Sequence, residues 1–108
     1  MHPIAHFFTG ALLCNALPHL ASGLQGLPFP TPFARPRGVG NSTPLLNVLW
    51  GLANLALGLY LLGAFPMTLQ PDADSGTALL GALAVSSYLA LHFGKVQRER
   101  AAQAVGSR

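Results

Sequence analysis

Three long stretches without any charged side chain constrain the fold of this 108-residue chain more than any other feature. The uncharged stretches are residues 1–34, 38–71 and 75–94. Each contains an apolar segment close to the roughly 20 residues that a helix needs to cross about 30 Å of hydrocarbon. We therefore expect an all-α fold, a bundle of three transmembrane helices. The helices are expected at about residues 4–24, 44–65 and 76–94.

The low charge content argues against a soluble domain. Only 8% of the residues are charged, whereas about 25% is usual in soluble domains. A small soluble domain needs a polar surface because its ratio of surface to volume is high. A soluble helical fold with unusually few charges is the alternative for the whole chain. A secretory signal peptide is the alternative for the first segment, although Asn15 and Pro18 interrupt its apolar centre and no Lys or Arg precedes it.

Asp72 and Asp74 are separated along the chain from all Lys and Arg residues, and Glu99 is the one acidic residue within the basic tail. Asp72 and Asp74 occupy the turn between the second and third segments. The Lys and Arg residues lie in the loop 25–43 and in the tail 95–108; they are Arg35, Arg37, Lys95, Arg98, Arg100 and Arg108. Short basic loops stay in the cytoplasm. We therefore expect one integral membrane domain, residues 1–108, with its N-terminus outside and with a Pro-rich cytoplasmic loop and a basic cytoplasmic tail.

The composition also indicates a cellular setting. Lys is scarce beside many Ala, Leu, Gly and Arg residues, which is typical of a GC-rich bacterial genome, so a multi-pass protein of the bacterial cytoplasmic membrane is expected. The net charge of +3 follows from membrane orientation. Because no basic stripe or nucleic-acid-binding module is present, no nucleic-acid partner is expected.

Helix boundaries are marked by capping residues. Ser42 or Thr43 is expected to cap the second helix, with Pro44 at its first position. Asp74 or Ser75 is expected to cap the third helix. Pro18 removes a backbone donor inside the first segment, so that helix should kink or end there.

The loop 25–43 combines prolines with aromatic and basic side chains. Phe29 and Phe33 alternate with prolines, and Arg35 and Arg37 follow. Aromatic rings sit at headgroup level and guanidinium groups meet anionic phosphates. These four residues are therefore predicted to lie at the lipid interface; a solvated linker is the alternative.

The second segment carries polar and small residues on one helical face. Asn47, Gly51, Asn54 and Gly58 follow each other at steps of four, three and four. Small residues allow close packing, and asparagines form hydrogen bonds between helices. The spacing predicts a packing seam, with a polar path for a substrate as the alternative.

Matched depth in the membrane indicates a candidate polar cluster. His19, Asn47 and His92 fall within roughly 8 Å of the same boundary at 1.5 Å per residue, within reach of the basic loop. Asn15 and Asn54 come out together near mid-membrane. Two histidines are able to ligate a haem or a metal, so metal binding by His19 and His92 is a lower-ranked interpretation, supported by no known motif.

Catalysis is not indicated. No Asp or Glu lies in the predicted helices, and a nucleophile pair of Cys14 with His19 is not expected to meet across Pro18. With one cysteine the chain forms no internal disulfide. We expect no cofactor and an accessory or self-associating protein in the lipid bilayer, as a homo-oligomer or in a larger membrane complex. An oligomeric component for transport of ions or small solutes is the alternative.

Overall fold

The structure is a computed structural model that describes residues 2–106. It contains three helices: α1 (Pro3–Gly23), α2 (Pro44–Ala64) and α3 (Ala73–Gly106). Apart from an isolated antiparallel bridge between Phe29 and Ser42, residues 2–106 contain no β-structure. The predicted all-α class with three helices is confirmed. Arg108, predicted to be part of the basic tail, lies outside the described residues.

All three helices are long and apolar enough to cross a membrane. With 21 residues each, α1 and α2 are about 30 Å long. With 34 residues, α3 is about 50 Å long, because the charged segment after Gly94 continues the helix. This length and composition are compatible with a small membrane protein.

Side-chain burial in α2 is inverted relative to a soluble helix. The buried residues of α2 are Asn47, Gly51, Asn54 and Gly58, which is the face that the spacing predicts as a packing seam. Five leucines of α2 face outward and are 48–68% exposed; they are Leu45, Leu49, Leu52, Leu57 and Leu59. Leu79, Leu83 and Leu91 of α3 also face outward and are 61–75% exposed. An apolar surface this extensive is rare on soluble monomers. Lipid is the solvent that suits it.

Two helix starts have side-chain caps. Thr43 Oγ1 accepts a hydrogen bond from the Leu46 N–H at 3.1 Å, directly before Pro44, as predicted. The predicted cap of α3 by Asp74 or Ser75 is wrong. Instead, Asp72 accepts the N–H of Ser75 at 2.9 Å, because α3 begins at Ala73.

The Asp72 carboxylate is held by two donors in the turn before α3. Its Oδ1 accepts the Ser75 N–H, and its Oδ2 accepts the Thr68 hydroxyl at 2.8 Å. These hydrogen bonds lower the pKa of Asp72 below its ordinary value. The negative charge at the N-terminus of α3 is favourable to the helix.

Helix α1 lies between the other two. It runs antiparallel to α2, with Leu13 against Gly58 and Leu20 against Gly51. It also continues through Pro18 to Gly23, so the helix does not end at that proline. Within residues 2–106, α2 and α3 each pack on α1 and not on one another.

Helices α1 and α3 run parallel and touch backbone to backbone. A Cβ atom on Gly10 would overlap the carbonyl oxygen of Ala78, and a Cβ atom on Gly81 would overlap that of Phe7. Only glycine permits this approach, which is the usual role of small residues between membrane helices.

The loop 24–43 folds back onto the bundle and contacts α3. His92 Nε2 donates to the Gly38 carbonyl at 2.6 Å. Arg100 donates to Asn41 Oδ1 at 2.9 Å and to the carbonyl of Val39. The loop and the C-terminal part of α3 therefore share one end of the molecule. We call this the basic end, because the described Lys and Arg residues lie there.

Candidate functional site

Asn47 organises the polar cluster at the basic end. Its side chain is fully buried, and its Nδ2 lies within hydrogen-bond distance of three backbone carbonyl oxygens. Those oxygens belong to Phe29 at 2.9 Å, Ser42 at 3.3 Å and Thr43 at 3.1 Å. One side-chain amide thus connects the start of α2 to Phe29 in the first part of the loop and to Ser42 and Thr43 at its end.

His19 faces Asn47 across the α1–α2 seam. Its Nδ1 lies 2.8 Å from Asn47 Oδ1, and the residue is 2% exposed. Because the Asn47 amide nitrogen donates to carbonyl groups, Oδ1 must accept from His19. Nδ1 therefore carries the proton of the neutral imidazole, and Nε2 keeps a free lone pair. No hydrogen bond in the described chain uses this Nε2.

Asn15 and Asn54 form a second bridge between α1 and α2. Asn15 Nδ2 donates to Asn54 Oδ1 at 3.0 Å, and Asn54 Nδ2 donates to the Trp50 carbonyl at 2.8 Å. These amides are hydrogen-bonded within the chain, as polar groups in a membrane must be. They hold the seam together.

His92 lies near the cluster without contacting His19 or Asn47 by a hydrogen bond. Its Nε2 donates a hydrogen bond to the Gly38 carbonyl oxygen. Its ring stacks on that of Tyr88, with the ring centroids 5.7 Å apart. His92 lies at the same end of the bundle as His19 and Asn47, as the equal depths estimated from the sequence indicate. Its rotation on α3 directs its ring nitrogen to the loop.

The residues predicted for the lipid interface have different environments. Phe29 is half-buried, with its ring 5.6 Å from His19 and 4.7 Å from Phe93 between centroids. Phe33 is 59% exposed and packs edge-to-face on Trp50 at 5.1 Å. Arg35 and Arg37 are exposed. In the described chain no hydrogen bond joins either arginine to the polar cluster.

A cavity of about 150 Å³ lies between the loop and the helices. Its lining includes Asn15, His19, Trp50, Tyr88, His92 and Phe93, with Pro30 and Pro32 contributed by the loop. Tyr88 lies four residues before His92 on one face of α3, whereas Trp50 was not among the predicted site residues. Trp50 lies four residues before Asn54, on the same helix face, and this spacing is the signal that could have found it.

The opposite end of the bundle carries a second buried histidine. His6 is 2% exposed, and its Nε2 lies 3.1 Å from the Phe65 carbonyl oxygen. Its Nδ1 lies 3.4 Å from Asp74 Oδ1. His6 thus links α1 to the end of α2 and the start of α3.

The cavity at the basic end is too small for a haem. Pockets for ligands of drug size or larger occupy about 300–1,000 Å³, twice the space or more that is present here. Among residues 2–106, no group of three or more His, Cys, Asp or Glu side chains could hold a metal ion.

Comparison of the chain with known protein families, curated proteins and solved structures finds no match. Length, apolar composition and outward-facing leucines define the class: a three-helix chain compatible with a small membrane protein.

Proposed function

We propose that this chain is an integral protein of the bacterial cytoplasmic membrane that associates laterally with another transmembrane helix. It acts as an accessory or self-associating subunit. Its N-terminus faces outward and its basic end faces the cytoplasm. The observation that carries the proposal is an open apolar groove over α1, between α2 and α3.

The groove exists because α2 and α3 pack on α1 and not on one another. Its volume is about 810 Å³. Thr9, Gly10 and Cys14 of α1 form its floor, while Leu55 of α2 and Leu79 of α3 form opposite walls. Helices associate in membranes by close packing over small residues, and Thr9, Gly10 and Cys14 supply such residues. Leu13 and Leu17 of α1 line the groove beside them.

Charge distribution supports the proposed orientation. Arg35 and Arg37 lie in the loop at the basic end, and Arg100 of α3 is hydrogen-bonded to the same loop. Asp72 and Asp74 lie at the other end, next to the start of α3. Short segments rich in Lys and Arg remain in the cytoplasm.

The geometry favours association over transport. A polar path needs side chains that are open to the permeating solute, whereas Asn47 and Asn54 are at most 4% exposed. Their amides are hydrogen-bonded to the loop, to His19 and to Asn15. The Asn47 and Asn54 side chains are therefore not available to line a pore in an oligomer of this bundle.

Photo-crosslinking in native membranes tests the proposal. Benzoylphenylalanine is placed at Leu79, a wall of the groove that is 70% exposed, or at Leu80, its 59% exposed neighbour outside the groove. We expect a discrete protein adduct from the Leu79 variant and lipid adducts alone from the Leu80 variant. The mass of the adduct separates a second copy of the chain from a different partner. Lipid adducts alone at both positions would overturn the proposal.

A further inference from the structure

We propose that the cavity at the basic end binds a small neutral molecule, about the size of phenol, that carries one hydroxyl or N–H donor. This inference is independent of the groove and of the partner helix proposed above, because the two sites lie in different parts of the bundle.

The size of the cavity limits the ligand to about one ring. Its volume is about 150 Å³. An apolar protein cavity of about this volume binds benzene. A single six-membered ring with one substituent therefore matches the space between the loop and the helices.

The side chains that line the cavity favour a ligand with an aromatic ring. Trp50, Tyr88 and Phe93 present aromatic side chains, and Pro30 and Pro32 add apolar surface from the loop. Aromatic rings attract one another in edge-to-face or offset arrangements more strongly than their buried area alone accounts for. An aromatic ligand gains more from these walls than an aliphatic one of equal size.

His19 supplies the polar anchor. It lines the cavity and is 98% removed from solvent, being 2% exposed. Its Nδ1–H donates a hydrogen bond to Asn47 Oδ1. The other ring nitrogen, Nε2, is therefore a hydrogen-bond acceptor without a described partner. The indole N–H of Trp50, another lining residue, is buried without a hydrogen-bond partner among the described residues, and a buried polar group is costly to leave unpaired. A ligand hydroxyl is able to donate to His19 Nε2 and to accept from this indole.

The same geometry selects a donor that is uncharged. No carboxylate lines the cavity, so an organic cation would lack a counter-ion there. The ionised side chains closest along the chain to its lining residues are basic: Arg35 and Arg37 in the loop and Lys95 after Phe93. They disfavour a cation and leave a hydroxyl or neutral N–H group as the matching partner for His19.

NMR of the full-length protein in detergent micelles, labelled with ¹⁵N in histidine, tests this inference with phenol and toluene, which have equal numbers of heavy atoms. Phenol is expected to shift the His19 Nε2 resonance upfield in a saturable manner, because that nitrogen accepts its hydroxyl proton. After correction for partition into micelles, phenol should bind about tenfold more tightly than toluene, as one hydrogen bond allows. Absence of a saturable shift would overturn the inference.

A matched pair of variants checks that the shift arises in the cavity. Leu89 lines the cavity, whereas Leu91 is 75% exposed on the same helix and lies outside it. Leu89→Phe should abolish the phenol shift by filling the space, and Leu91→Phe should keep it. The indole N–H proton of Trp50, the one tryptophan of the chain, gives a single signal in the ¹H spectrum that reports whether each variant is folded. A shift that persists in folded Leu89→Phe would contradict the proposal.

Discussion

At the scale of single residues, Asn47 and Asn54 have the same side chain and lie on the same face of α2, but they form different sets of hydrogen bonds. Both lie on the buried face of α2. Asn54 bonds to one side chain and one carbonyl of its own helix. Asn47 donates hydrogen bonds to backbone carbonyl groups of the loop. It also accepts one from His19, which fixes the orientation of the His19 ring. Its position at the start of α2 makes it the link between helix packing and loop structure.

This difference predicts unequal costs of substitution. Asn47→Ala leaves a buried His19 donor and loop carbonyl groups without partners, so the free energy of unfolding should fall by about 3 kcal/mol or more. Asn54→Ala should cost about 1 kcal/mol or less, the usual range for a hydrogen bond between membrane helices. Unfolding by sodium dodecyl sulfate, added to mixed micelles, measures both. Equal losses would contradict the special role of Asn47.

The candidate site could be predicted in part from residue types and spacing. Equal depth placed His19, Asn47 and His92 near one end. Whether two of these side chains touch also depends on how each helix is rotated about its own axis. The spacing of residues along one helix does not determine the rotation of its neighbour. The structure joins His19 to Asn47 and turns His92 toward Gly38. The cavity was not predictable, because it forms only when the loop folds over the helices.

At the scale of helices, the contacts of α1 with its two neighbours differ in kind. Between α1 and α2, leucine side chains lie over glycines and amides bond across the seam. Between α1 and α3, backbone lies against backbone at Gly10 and Gly81. The second contact tolerates no added carbon atom, since carbonyl oxygens on the facing helix would have to move.

Two glycines on α3 provide a matched test of this packing. Gly81→Ala places a Cβ atom against the Phe7 carbonyl, whereas nothing lies within 4 Å of the same atom on Gly76. Gly81→Ala should reduce the free energy of unfolding by about 1–3 kcal/mol through overpacking. Gly76→Ala should be neutral or stabilising by up to about 1 kcal/mol, since alanine favours helix. Thermal unfolding in micelles measures both. A similar loss for both variants would contradict the packing of α1 and α3.

Helix positions followed closely from the sequence, and the ends of α3 did not. Uncharged length is enough to locate a helix in an apolar environment. The start of α3 depends on which of several acidic and hydroxyl side chains makes the cap, and Asp72 does so. Its C-terminal half depends on contacts with the loop, such as that of Arg100 with Asn41, which no local pattern reveals.

At the scale of the whole molecule, the distribution of side chains is compatible with a lipid environment. Small and polar residues line the contacts between helices, while leucines cover the outside. In water this arrangement would expose an apolar surface of the kind that drives association. In lipid the buried side-chain amides of Asn47 and Asn54 are paired within the chain, and the outward-facing leucines contact an apolar solvent. The separation of basic and acidic ends supports the proposed direction across the bilayer.

Labelling of single cysteines with a membrane-impermeant maleimide tests this central claim most directly. Gln70→Cys, in the exposed turn before α3, and Gln103→Cys, near the exposed end of α3, are each introduced into a Cys14→Ser chain. In intact bacterial cells, with the outer membrane made permeable, Gln70→Cys should react and Gln103→Cys should react only after lysis. The opposite order would contradict the orientation. Protection of both sites until lysis, with the chain recovered in the soluble fraction, would contradict membrane insertion itself.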